Sequence, residues 1–203
     1  MEKYVYEGKK KDQALNLALY ELNTNEEEII YNFTEVNNGL FKGKKYILEC
    51  VKYKDVAKEA KKILEELLKG MNIDSKIEFS IKNQIIKLNI HSDNSSIVIG
   101  KKGHILDAIQ NFIKNALFND LGQYVTIVVD VEGYKEKNAH FLERDAKKLA
   151  KEVLKTKTDI KLDPMRAYER KVIHDVLSTY KHIETKSEGV EPNRCLVIKY
   201  KED

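Results

Sequence analysis

Two glycines enclose two lysines in the segment Gly100-Lys101-Lys102-Gly103. Glycine permits a tight turn and lets a phosphate backbone come close to the chain. The N–H groups at the start of a following helix attract anions, and the lysines add positive charge. The glycines are three residues apart and no Lys-Ser/Thr pair follows, so the segment is not a P-loop. It predicts contact with phosphates, and a plain helix–helix turn is the alternative.

Arg170 and His174 form a second candidate site, on a helix predicted over residues 165–180. Positions four apart differ by only ~40° around a helix axis, so Arg166, Arg170 and His174 are predicted to share one side. Like-charged neighbours at this spacing do not stabilise a helix. This favours a functional role for these residues over the alternative, a generic solvated helix face. We expect Arg170 and His174 to be exposed and to bind phosphate, with Arg194 nearby. The residues expected to point to the core are Met165, Tyr168, Val172, Val176 and Tyr180.

Signals for catalysis or metal binding are missing from the sequence. The other histidines show no ligand spacing. His104, which follows the glycine loop, is expected to be a solvent-exposed helix residue, and contact with the ligand of that loop is the alternative. Cys50 and Cys195 are too few and too far apart for a disulfide framework or a structural zinc site. No Ser/His/Asp or paired-carboxylate constellation is recognisable. The sequence therefore predicts a binding protein that is not an enzyme and holds no metal or cofactor.

Positive charge is concentrated in the last third of the chain. The 203 residues carry a net charge of +3, and 42% are hydrophobic, which is enough to build cores. Residues 134–203 hold all four arginines, and their 17 Lys and Arg face 13 acidic residues. The guanidinium fork suits phosphate and stacking on bases, which indicates a nucleic-acid partner; a solvated helix surface is the alternative. No apolar run approaches the ~20 residues of a membrane span and none is flanked like a signal peptide, so we expect a soluble, intracellular protein.

Hydrophobic periodicity divides the rest of the chain into units that must position these residues. Residues 1–54 are predicted to form a β-α-β-β unit with a turn at Asn37-Asn38-Gly39. Residues 134–203 are predicted to form a helix, a short strand, a second helix and two strands around a turn at 188–193. Asp163-Pro164 is the expected start of that second helix.

Residues 55–133 contain the glycine loop, and their periodicity predicts the order α-β-β-α-α-β. Asp55 is the expected cap of the first helix, and Gly70 is its expected end. Clean alternation of apolar residues predicts a β-hairpin with its turn at Lys82-Asn83. The loop lies between the two middle helices.

The segment Val98-Ile99-Gly100-Lys101-Lys102-Gly103-His104-Ile105-Leu106, set in this order of elements, resembles a KH domain of the type II arrangement. In KH domains the G-x-x-G loop clamps the backbone of about four single-stranded nucleotides. The resemblance implies backbone contacts from Gly100 to Gly103. It also implies that Ile99 and Leu106 support an apolar groove for the bases, and that the domain has no catalytic group.

The segments 164–174 and 187–194 resemble the domain named for its Arg-x-x-x-His motif, the R-three-H domain. That domain is linked to single-stranded nucleic acid and polynucleotide phosphates. The resemblance implies that Arg170 and His174 are the signature pair. Arg194, from a neighbouring strand, would add a phosphate contact.

The N-terminal unit, with Gly39-Leu40-Phe41-Lys42-Gly43-Lys44-Lys45, looks like the small N-terminal domain of the Jag/KhpB family, whose domain order spans the whole chain. The resemblance implies a cytoplasmic RNA-binding protein, acting as an RNA chaperone or post-transcriptional regulator and linked to cell-wall homeostasis and cell length. It also implies a small stand-alone KH partner (KhpA-like), and a homodimer is a further expectation. Many relatives have a longer charged linker after this domain. Here residues 51–54 run straight into the next helix, so no tethering role is expected.

The sequence therefore predicts an α+β protein of three small domains, 1–54, 55–133 and 134–203, that binds single-stranded RNA. The alternative is a protein-interaction adaptor that uses the KH-type scaffold for dimerisation or partner docking. The low net charge and the expected exposure of Leu40-Phe41 favour that alternative.

Overall fold

The computed structural model describes residues 1–37 and 44–202 and confirms the α+β class. The elements are β1 (Tyr4–Gly8), α1 (Lys11–Leu22), β2 (Ile29–Asn37), β3 (Lys44–Lys52), α2 (Tyr53–Gly70), β4 (Lys76–Lys82), β5 (Ile85–His91), α3 (Ser95–Ile99), α4 (His104–Leu121), β6 (Thr126–Val131), α5 (Tyr134–Thr156), β7 (Ile160–Lys161), α6 (Ala167–Leu177), β8 (Ile183–Glu188) and β9 (Cys195–Tyr200). The chain divides into two compact units, residues 1–132 and the residues from Gly133 onward. A further boundary at residue 54 stays a prediction. Leu40 and Phe41 lie outside the described residues.

The first unit begins with an antiparallel sheet of order β1-β3-β2, which confirms the β-α-β-β order. Helix α1 packs on one face of this sheet through Ala14 and Ala18, which are fully buried. Their small side chains let the helix approach Leu48 and Cys50 on the central strand β3.

A second sheet in the same unit, of order β4-β5-β6, positions the glycine loop. The β4–β5 hairpin turns at Asn83 and Gln84, both with positive φ, so the predicted turn at Lys82-Asn83 was one residue early. Strand β6 pairs in parallel with β5. A parallel pair needs a long crossover, and here the crossover consists of α3, the glycine loop and α4.

Helix α2 differs from its predicted bounds at both ends. It begins at Tyr53, with Lys52 as its N-cap, so Asp55 is not the cap but lies in the first turn. A carboxylate in the first turn still interacts favourably with the helix dipole. Gly70 was expected to lie just beyond the helix, but it is the last helical residue, and Met71 is the C-cap.

The second unit packs α5 and α6 on an antiparallel sheet of order β7-β9-β8. Its buried core consists of Ala146, Ala150, Val153, Ile173, Leu177, Leu196 and Ile198. Helix α6 begins at Ala167 with Arg166 as its cap, so the predicted start at Asp163-Pro164 was wrong. The physical reason is that the Leu162 and Met165 N–H groups donate to the carbonyl oxygens of Leu196 and Arg194, which keeps this segment out of the helix.

The buried face of α6 also differs from the prediction. Ile173 and Leu177 fill the core, whereas Tyr168 is exposed and Val172 is only half-buried. Met165, Val176 and Tyr180 do pack against the core, as predicted. Because α6 contacts both α5 and β8, more of its circumference is covered than one apolar stripe suggests.

Candidate nucleic-acid interface

The glycine loop is a compact turn built from left-handed backbone conformations. Gly100, Lys102 and Gly103 have φ values of 69°, 52° and 79°. The Gly103 N–H donates to the Gly100 carbonyl at 3.2 Å, and the Gly100 N–H donates to the Ser96 carbonyl at 2.9 Å. The turn leaves the side chains of Lys101 and Lys102 exposed.

Only glycine fits at the first position of this loop. A Cβ atom on Gly100 would lie 2.6 Å from Ile105 Cγ1 and 2.9 Å from Ile105 Cβ. The backbone conformation of Gly100, with φ 69° and ψ −178°, is also one that residues other than glycine avoid. The loop can therefore approach α4 this closely only because glycine has no side chain.

Helix α4 starts directly after the loop, at His104, and Gly103 is its N-cap. The 18-residue helix presents its N-terminal partial positive charge beside Lys101 and Lys102. His104 is exposed, as predicted. The arrangement of lysines and helix start is one that attracts phosphate.

Apolar side chains flank the loop on both sides. Ile97 on α3 is 51% exposed, and Ile105 on α4 is 37% exposed. The two groove residues taken from the sequence are less accessible, because Ile99 is half-buried and Leu106 is buried. Ile97 and Ile105 were not identified from the sequence as flanking residues, although both lie within three residues of the Gly100–Gly103 loop.

The second unit contains a cleft of about 380 Å³ between α6 and the strands β8 and β9. The lining residues are Ala167, Arg170, Lys171, His174, Thr185, Ser187, Arg194 and Leu196. Three of these residues carry a permanent positive charge. Among the described residues that line the cleft, none is acidic. Such a cleft suits an anion with several oxygen atoms.

Three polar lining residues were not identified from the sequence. Lys171 lies three residues before His174, a spacing that places two side chains on neighbouring positions of a helix surface. Thr185 and Ser187 alternate along β8 and so share one face of the strand. The Thr185 hydroxyl lies 2.5 Å from His174 Nδ1 and fixes the orientation of the imidazole.

His174 is exposed and Arg194 lies at the same cleft, as predicted. The predicted exposure of Arg170 is wrong, since its side chain is only 8% exposed. Its Nη1 donates to the Met165 carbonyl at 2.6 Å, and its Nη2 donates to Glu191 Oε1 at 2.8 Å. Arg170 thus forms part of the cleft wall within an ion pair.

Arg166 does not line the cleft with Arg170 and His174. Its guanidinium lies over the Tyr168 ring, 4.8 Å from the centroid, and its Nη2 donates to Glu169 Oε1 at 3.0 Å. The Glu169 carboxylate also accepts the Arg166 backbone N–H at 2.9 Å. Burial raises the pKa of Glu169, but these hydrogen bonds outweigh it and hold that pKa below its ordinary value.

Within residues 1–37 and 44–202 there is no group of His, Cys, Asp and Glu side chains placed to hold a metal ion. In the same ranges no helix is long and apolar enough to cross a membrane.

The fold and the two sites define a protein that joins a type II KH domain to a domain with a basic Arg-x-x-x-His cleft. Family models agree with this class. A model described as the KhpA/KhpB KH domain matches residues 58–131, and one described as the R-three-H domain matches residues 140–200.

Whole-chain relatives identify the family. The RNA-binding protein KhpB of Clostridium symbiosum is 30% identical over 208 residues, which cover 100% of this chain and 94% of that protein. The RNA-binding protein KhpB of Bacillus subtilis strain 168 is 34% identical over 200 residues, which cover 96% of each chain. The chain therefore belongs to the KhpB family, and the resemblance seen in the sequence is confirmed. The KhpB of Lactiplantibacillus plantarum matches over only 41% of its own length, so that relative is much longer.

Proposed function

We propose that this protein binds single-stranded RNA through two phosphate-contacting sites, the loop Gly100–Gly103 and the cleft between α6, β8 and β9. The observation that carries this proposal is the cleft, in which Lys171, His174 and Arg194 converge. Two relatives that match nearly the whole chain are named RNA-binding proteins, which supports RNA as the ligand.

At the loop, the RNA backbone follows the turn, and Lys101 and Lys102 neutralise its phosphates. The N-terminal end of α4 adds partial positive charge at the same place. Bases that extend from this backbone pack on the exposed side chains of Ile97 and Ile105. Aliphatic contact is sequence-tolerant, so this site selects single strands more than particular bases.

At the cleft, the side chains of Lys171 and Arg194 contact phosphate oxygens, and the hydroxyl of Ser187 offers a further hydrogen bond. We assign His174 to binding and not to cleavage, and the Thr185 hydroxyl beside its Nδ1 holds the imidazole in place. Phosphate contacts carry no base information, so the cleft binds all sequences about equally.

Two weak sites on one chain increase the overall affinity, because binding at the first raises the effective concentration at the second. A protein of this kind can hold an RNA strand open while its partner strand exchanges. We therefore assign it the role of an RNA chaperone or post-transcriptional regulator in the cytoplasm. By resemblance to its family, that role extends to cell-wall homeostasis and cell length.

A protein-interaction role is the second candidate, and one exposed aromatic residue favours it. Phe112 on α4 is 52% exposed although the opposite face of the helix fills the KH core. Large exposed apolar side chains often mark contact surfaces. The family resemblance indicates a small stand-alone KH protein or a second copy of this chain as the partner.

The test of the proposed function is a charge reversal in the loop. We expect Lys101→Asp combined with Lys102→Asp to weaken binding of a labelled single-stranded RNA pool more than about tenfold, because two phosphate contacts become repulsive. Lys9→Asp with Lys10→Asp is the matched control, since these exposed neighbours lie between β1 and α1, outside both proposed sites. Fluorescence anisotropy measures both variants. Unchanged affinity in the loop variant would contradict the KH part of the proposal.

A salt titration of the same RNA binding separates the two candidates. Phosphate binding must weaken steeply between 50 and 200 mM salt, with a slope of about 0.7 per phosphate on a log–log plot. An adaptor would show no saturable RNA binding across this range, so that no slope could be measured.

A further inference from the structure

Arg170, the first residue of the Arg-x-x-x-His signature, is committed to two protein acceptors. One is the backbone carbonyl of Met165 at 2.6 Å, and the other is Glu191 Oε1 at 2.8 Å. The Arg170 side chain is almost completely buried, whereas that of Glu191 is 56% exposed. The ion pair is therefore not required to neutralise Glu191, which water could solvate.

Both acceptors of Arg170 hold the segment that carries Arg194. The Met165 N–H donates to the Arg194 carbonyl at 3.1 Å, so the residue whose carbonyl Arg170 binds is itself bonded directly to Arg194. Glu191 lies three residues before Arg194, in a turn closed by the Asn193 N–H donating to the Val190 carbonyl at 2.9 Å. Arg170 thus holds the turn at Glu191, before Arg194, and through Met165 at Arg194 itself.

We propose that Arg170 is a positioning residue, which anchors the turn from Glu191 to Arg194 so that the Arg194 side chain lines the cleft. The phosphate itself is contacted by Lys171, His174 and Arg194. This inference rests on the proposed function of the cleft. The physical reason is that a phosphate could bind the Arg170 guanidinium only if two charge-assisted hydrogen bonds broke. Their loss would release the turn that presents Arg194.

Substitutions at Glu191 distinguish positioning from direct contact, because they leave Arg170 in place. Glu191→Gln and Glu191→Ala remove the same negative charge, but only the Gln amide oxygen can still accept from Arg170. If Arg170 positions the turn, the Ala variant should bind single-stranded RNA roughly three- to tenfold more weakly than the Gln variant. If Arg170 contacts phosphate directly, both variants should bind equally, and both more tightly than the unchanged protein.

The same pair of variants in an Arg194→Ala background shows whether the effect passes through Arg194. We expect the Ala and Gln variants to bind equally there, because the turn no longer presents a charged side chain. A difference that persists without Arg194 would overturn the inference. Circular dichroism and thermal melts check that all variants are folded, which the exposure of the Glu191 side chain favours.

The outcomes also separate this inference from the proposed function. If the unchanged protein does not bind single-stranded RNA, or if Arg194→Ala binds as well as it does, the proposed role of the cleft is wrong. If Arg194→Ala weakens binding while the two Glu191 variants bind equally, only the positioning role of Arg170 is wrong.

Discussion

Substitution of Gly100 by alanine should damage the KH loop in a way that the structure makes quantitative. The new methyl group meets two separate obstacles. The first is the backbone, whose φ of 69° and ψ of −178° cost a residue other than glycine about 1–3 kcal/mol. The second is Ile105, whose Cγ1, Cδ1 and Cβ atoms lie 2.6, 2.8 and 2.9 Å from the new Cβ.

Ile105 cannot simply rotate away, because its Cβ atom belongs to the start of α4 and is itself too close. Overpacking of this kind costs about 1–3 kcal/mol. Together the two obstacles predict a loss of about 2–6 kcal/mol in the free energy of unfolding. At about 2–4 °C or more per kcal/mol, Tm should fall by at least about 4 °C. A loop that relaxes to avoid this loss would instead give up its phosphate-binding shape and weaken RNA binding.

Urea denaturation and RNA anisotropy measure both consequences. Gly70→Ala is the matched control, since a Cβ there meets nothing within 4 Å at the end of α2. In a helix this change should stabilise by about 0.5–1 kcal/mol. Ile105→Ala removes two of the three crowded atoms, so the double variant with Gly100→Ala should recover about 1 kcal/mol relative to additivity. A Gly100→Ala protein with unchanged stability and unchanged RNA affinity would refute the reasoning.

Three further predictions concern the second unit. Glu169→Gln should cost about 1–3 kcal/mol at pH 7, because it weakens the buried pair with Arg166. Since the pKa of Glu169 is lowered in the folded state, its stabilisation is complete above the unfolded value of about 4.3 and is lost as pH falls through the lower folded value. The free energy of unfolding, plotted against pH from 7 to 3, should therefore change less for the variant than for the unchanged protein. Parallel plots would contradict this. Leu177→Ala, in the fully buried core, should cost about 2–5 kcal/mol in the same assay, and a loss below about 1 kcal/mol would contradict its place there. Arg194→Ala should weaken binding of all RNA sequences about equally and lower the salt slope by about 0.7, whereas a loss confined to some sequences would indicate base contact.

Features that depend on neighbouring residues were predictable from the sequence. The apolar alternation around the β4–β5 hairpin and the spacing of the two loop glycines are local signals; the hairpin lies within one residue of its predicted position, and the loop lies between α3 and α4 as predicted. The start of α6 was not predictable in this way. Its preceding residues are held by backbone hydrogen bonds to β9 and the residue before it, about 30 residues away in sequence, which no local pattern reports.

The residues of the candidate site also differ in whether local spacing or a distant contact determines their position. His174 was predicted to be exposed because helical spacing alone separates it from the core. Arg170 obeys the same spacing but is buried, because its partner Glu191 approaches from a turn 21 residues later. Thr185 and Ser187 could not be assigned to the cleft from the sequence, because their position depends on the pairing of β8 with β9 and on the packing of β8 against α6.

The central claim is that RNA binds at the KH loop and at the basic cleft, and an NMR titration tests it most directly. Amide signals of the 203-residue chain are followed while an unlabelled single-stranded RNA is added. The account predicts that shifts concentrate in residues 97–106 and 167–196, because these contain the loop, its apolar flanks and the cleft. Saturable binding whose shifts fall outside both segments would contradict it.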